Sequence, residues 1–113
     1  MTTTASSTPL LKFGIIVLTA ATAAIHLYLG LKGIPLFVLN GFGYLGLLAA
    51  LTLPLPRISE YRNLVRWVLV GYAALTILLW ILVGARNSIG YADKVIELAL
   101  VALLILDARG SRR

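Results

Sequence analysis

At 113 residues the chain has room for one domain, and its composition, 60% hydrophobic and 12% charged, excludes an ordinary water-soluble one. With no cysteine, disulfides, thiolate metal sites, iron–sulfur clusters and thiol nucleophiles are excluded together. The net charge of +6 sits at the ends of apolar stretches, not along a polar face, which fits lipid headgroups and argues against a nucleic-acid partner.

Residues 1–12 begin Thr/Ser-rich and are expected to form a mobile tail, although Pro9 suits the first turn of a helix. Four apolar stretches follow, at roughly 13–31, 36–53, 64–84 and 89–106. Each is close to the ~20 residues that cross ~30 Å of hydrocarbon as a helix. The expected fold is therefore all-α: an integral membrane bundle of four antiparallel transmembrane helices over residues 13–107, with 108–113 as a basic tail. Lys12 and the apolar run after it imitate a signal peptide, but the segment is read as a retained helix.

The first span contains the small-residue run Thr19 to Ala24, so Ala20 and Ala24 are expected to let helices pack closely and to make this the most buried span. Lys32, Gly33, Ile34 and Pro35 form a tight link that forces an antiparallel hairpin. The second span carries Gly41, Gly43 and Gly46 in the pattern G-x-G-x-x-G. A dinucleotide site needs a strand before that pattern, so these glycines are read as points of close helix approach. Pro54 and Pro56 end the span. Trp67 and Trp80 bracket the third span like an interfacial aromatic belt. The fourth is the least apolar, with Tyr91, Asp93, Lys94 and Glu97 all near its start.

Four spans put both termini on one side, together with Lys12, Arg57, Arg62, Arg66, Arg109, Arg112 and Arg113. The other side holds Lys32, Arg86 and Lys94, and seven against three predicts cytoplasmic termini in a cell (plasma or inner) membrane. On this topology the uncommon polar residues gather toward the outer side: His26, Asn40, Tyr44, Arg86, Asp93 and Glu97. Charges inside a span each cost ~2.5–3.5 kcal/mol at its centre, so their grouping carries information. Asp93 and Glu97, four apart, share a helix face near its N-terminus. Asp93 is expected to cap or stabilise the first turn, neutralised by Arg86 or Lys94. Glu97 lies deeper, with Arg86, Lys94 and His26 as candidate partners. His26, the sole histidine, could form a packing hydrogen bond, contact a proton or substrate, or ligate a tetrapyrrole.

In length and span count the chain resembles the small multidrug resistance transporters. Their first span depends on a glutamate, whereas here its one ionisable group within the apolar run is His26, so no activity or residue is carried over. The leading expectation is a non-enzymatic membrane protein that self-assembles or serves as an accessory subunit, partnered by lipid and by copies of itself. One alternative is a small transporter or channel subunit using Glu97 and His26. The other is a site for a cofactor, quinone or lipid near the outer leaflet. No cofactor or metal is assigned, and no nucleophile set supports catalysis.

Overall fold

The structure, a computed structural model, describes residues 9–33, 35–84 and 87–110. Arg86, most of the expected N-terminal tail and the last three residues lie outside the described set. Everything regular in it is helix: α1 (Pro9–Leu31), α2 (Pro35–Thr52), the single turn α3 (Pro56–Ser59), α4 (Arg62–Val83) and α5 (Ser88–Gly110).

Local chemistry explains each boundary. Pro9 and Pro35 occupy first helical positions, where a missing N–H costs nothing. α1 closes as the Lys32 and Gly33 amides donate to the carbonyls of Leu29 and Gly30, both at 3.1 Å. Gly33 then turns the chain at φ +119°, a region that side chains disfavour. Pro54 and Pro56 cannot extend α2, and Arg62 Nη2 donates to the Leu53 carbonyl across the connection at 2.6 Å. At the start of α5 the Asn87 side-chain oxygen accepts the Gly90 N–H at 2.7 Å. Asn87 is thus the residue that caps this helix, and the expected capping role of Asp93 is corrected.

The helices run past the apolar stretches because caps and backbone bonding end a helix, whereas hydropathy tracks side chains. α1 begins at Pro9, inside the expected tail, and α5 carries Ala108 and Arg109 as helix in place of a tail. α1 packs against α2 and α5, and α4 against the same two. Gly30 lies against Val38, Gly41 against Leu27, and Arg66 against Asp107, so neighbours are antiparallel.

α1, α2 and α4 are long and apolar enough to cross a membrane. α5 differs, because any stretch of 18 residues within it contains Asp93, Lys94 and Glu97. Those three charges point inward, and α5 buries Asp93, Lys94, Glu97, Leu100, Leu104, Asp107 and Ala108. That exceeds the six positions buried by the equally long α1, contrary to the expectation that the first span is the most enclosed. Within α1 the buried stripe is Ile15, Thr19, Thr22, Ala23, His26 and Gly30. Ala20 and Ala24 fall about 100° of helix rotation away from it and are exposed on the protomer.

Among the described residues, glycines aside, nine buried positions are apolar and nine are polar or charged, although the chain is 60% hydrophobic. The apolar excess faces outward, with Leu10 at 80% and Leu31 and Val83 at 83% exposure. Water selects the opposite arrangement.

The glycines of α1 and α2 behave differently. A Cβ on Gly30 would meet the Val38 side chain and stand 2.6 Å from its backbone nitrogen; one on Gly46 would meet open space. Gly30→Ala is expected to force the hairpin apart and lower stability by about 1–3 kcal/mol, read as a depressed thermal midpoint in detergent. Gly46→Ala should be neutral, or raise the midpoint by adding up to about 1 kcal/mol of stability through helix propensity.

Candidate functional site

The inward stripes of three helices converge on one carboxylate. Glu97 lies nine residues into α5, about 14 Å from its start at ~1.5 Å per residue, and is fully buried. Its Oε1 accepts from Lys94 Nζ at 2.5 Å. Its Oε2 accepts the Tyr44 hydroxyl of α2 at 2.8 Å and lies 3.0 Å from the Thr22 hydroxyl of α1. One turn nearer the start of α5, Asp93 Oδ1 accepts from that Thr22 hydroxyl at 2.6 Å, and Oδ2 pairs with Lys94 at 3.3 Å. The i,i+4 spacing of the two acids and of Thr22 with His26 makes this meeting possible, since each pair occupies one helix face.

His26 completes the cluster. Its Nδ1 lies 2.8 Å from the Thr22 carbonyl, one turn back on α1. Nε2 points the other way, 3.6 Å from Asp93 Oδ2 and 3.9 Å from Glu97 Oε2. Phe37 meets the imidazole edge-on at 5.6 Å between centroids, and Tyr44 lies tilted at 5.7 Å. α4 contributes a second layer through Tyr72, which packs edge-on against Tyr44 at 4.7 Å.

Four of the six residues singled out from the sequence therefore meet: His26, Tyr44, Asp93 and Glu97. Asn40 does not join them. Its amide faces Thr76 Oγ1 at 3.4 Å, and its backbone carbonyl accepts the Tyr72 hydroxyl at 2.7 Å, tying α2 to α4. Arg86 lies outside the described residues, and the cation that neutralises Glu97 is Lys94. Of the glycines, Gly41 approaches Leu27 and Ala23, Gly43 approaches Tyr72, and Gly46 faces open space.

Sequence reasoning missed two features. Thr22 stood in the small-residue run as a packing residue, yet it bridges both acids. Arg66 was counted as a topology signal, yet its Nε donates to Asp107 Oδ2 at 2.8 Å while Nη1 donates to Asn63 Oδ1 at 2.8 Å. A signal for Asp107 was present: positions 93, 97, 100, 104 and 107 advance by alternate steps of four and three, one continuous helix face.

The chemistry open to this centre follows from its enclosure. His26, Asp93 and Glu97 present three ligand atoms within 4.8 Å of one another. A divalent ion would have to draw those atoms inward to bonds of ~2.0–2.2 Å and displace the ammonium of Lys94 between the acids. With His26 only 4% exposed, a tetrapyrrole could reach Nε2 only by pushing aside Asp93 and Glu97. Two carboxylates and one ammonium leave one negative charge in excess when the imidazole is neutral. Compared with known proteins, the chain matches no protein-family model, no curated protein and no solved structure.

Proposed function

We propose that this chain is a non-enzymatic integral membrane protein whose four long helices all cross the bilayer, and which handles a small cation at its buried centre as a transporter or channel subunit. One observation carries this reading: Glu97, fully buried, stands with Asp93, Lys94, His26 and Tyr44 in a single enclosed network. Holding helices together does not require it. Small residues and neutral hydrogen bonds pack membrane helices without the desolvation cost of three charged groups. Ionisable side chains inside a span usually mark an ion or proton path. The outward apolar faces support lipid as the surrounding solvent, and the seven-to-three bias of basic residues supports cytoplasmic termini in the cell membrane. α5 then crosses with Asp93, Lys94 and Glu97 paired inside the protein and away from lipid.

Assembly with further copies is favoured by a separate observation. Ala20, Ala24, Gly46 and Gly71 are small, lie within apolar helices and are exposed on the protomer. Small residues facing lipid lose packing contacts that a second helix would supply.

Two measurements test these statements. In proteoliposomes under an imposed potential, proton, sodium and potassium movement is followed for the wild type, Glu97→Gln and His26→Ala. At least one ion is expected to move, with a loss of roughly tenfold or more in both variants, the effect of about 1.4 kcal/mol on a barrier. Equal flux in all three proteins removes the cation-handling reading. For assembly, Ala20→Leu and Gly46→Leu are expected to shift the purified protein toward the monomer in native mass spectrometry without loss of helix content. A wild type that is already monomeric in lipid nanodiscs contradicts self-assembly.

A further inference from the structure

We infer that the cation taken by this centre is a single proton, and that its seat is Nε2 of His26, facing Asp93 and Glu97. The inference rests on the proposed cation-handling role and names the ion.

The first support is the tautomer. A backbone carbonyl only accepts, so the 2.8 Å contact with the Thr22 oxygen requires the hydrogen on Nδ1. In the neutral ring Nε2 then carries a lone pair, directed at carboxylate oxygens 3.6 and 3.9 Å away. Both distances exceed hydrogen-bond reach, and a lone pair gains nothing from facing two anions. A proton on Nε2 converts that arrangement into attraction toward both acids.

The second support is the hydrogen supply around the acids. Thr22 has one hydroxyl hydrogen and two carboxylate oxygens, at 2.6 and 3.0 Å, to give it to. Lys94 already serves Glu97 Oε1 and Asp93 Oδ2. One more proton brings the centre to neutrality: two negative carboxylates against the Lys94 ammonium and an imidazolium. A divalent cation would overshoot by one positive charge while Lys94 stays in place. The sources of charge around His26 are therefore accounted for on each side. α1 supplies the Thr22 carbonyl, α2 supplies Phe37 and the Tyr44 hydroxyl, and α5 supplies Asp93, Lys94 and Glu97. Tyr72 of α4 reaches Tyr44 and stops there.

Because the chain has one histidine, labelling that residue with nitrogen-15 gives one ring to observe in the full-length protein in bilayers. Solid-state spectra across a pH series should keep Nδ1 protonated throughout while Nε2 gains and loses its proton. In Glu97→Gln, and in Asp93→Asn as a second variant, Nε2 faces one anion fewer, and the share of rings carrying a hydrogen there at one fixed pH should fall. Exchanging sodium for potassium, or adding zinc, should leave the Nε2 signal unchanged at fixed pH. Loss of the proton from Nδ1 in place of Nε2, or an Nε2-protonated share that stays put or rises in a variant that keeps its thermal midpoint, overturns the inference. An Nε2 signal that follows sodium or zinc also overturns it while leaving the cation-handling role intact. Conversely, Nε2 titrating as expected with flux unchanged in Glu97→Gln would remove the transport role and leave the proton site standing.

Discussion

Everything in the middle of this molecule is arranged around the carboxylate of Glu97. A single buried anion in hydrocarbon is costly enough to forbid the fold unless partners arrive from more than one helix. Here they do: Lys94 from the same turn of α5, Tyr44 from α2 and Thr22 from α1. These bonds fix rotation as well as separation. Turning α5 by one residue, about 100°, would carry Glu97 out of the centre and toward the exposed side occupied by Val95 and Leu98. Register and polarity therefore specify one another, as expected where a polar network is satisfied by all of its members.

That dependence explains why some of the fold was legible and some was not. The all-helical class and the proline and glycine boundaries follow from hydropathy and turn chemistry, whereas the single turn α3 was not expected; Gly33, Pro35 and Pro56 act as their residue types require. The direction in which each helix faces was harder to read. Methods that look for an apolar stripe assume water outside, whereas α1 buries Thr19, Thr22 and His26 while exposing Phe13, Ile16 and Val17. The useful stripe is the one that carries the polar residues. It advances by fours and threes in α1 (15, 19, 22, 26, 30), in α4 (66, 69, 73, 76) and in α5 (93, 97, 100, 104, 107). Read that way, Ala20 and Ala24 belong to the outside from the start.

The candidate site was partly visible for the same reason. Asp93 and Glu97 stood out because charge in an apolar stretch is conspicuous, and His26 because it is alone. Thr22 was hidden by its size and Asp107 by its place beside a basic terminus. Composition also could not decide which cation would answer Glu97. Lys94 is three residues away on the same helix and reaches it within the turn. Asn40 looked equivalent to Tyr44 by depth, but they are four apart on α2, and Asn40 is directed to Thr76 and Tyr72 on α4.

The two buried polar layers differ in kind, and the difference bears on mechanism. Arg66 and Asp107 form a one-to-one pair with Asn63 as a further acceptor, so their charges cancel without help. The Glu97 layer has an extra carboxylate and an imidazole whose free nitrogen faces it. Between the layers lie Ile15, Leu69, Ala73, Leu100 and Leu104, all buried and apolar, together with Thr19, whose hydroxyl donates to the Ile15 carbonyl at 2.7 Å. A proton arriving at His26 would find one hydroxyl among those side chains, that of Thr19, already given to a backbone carbonyl, and no chain of groups to carry it onward. Conduction through a static protomer is thus disfavoured, and passage on the proposed role would require either a rearrangement of α5 against α1 or a route completed between copies. A proton on Nε2 of His26 would draw α1 toward Asp93 and Glu97 of α5, so loading the centre with a proton and tightening the contact between those two helices are physically linked events.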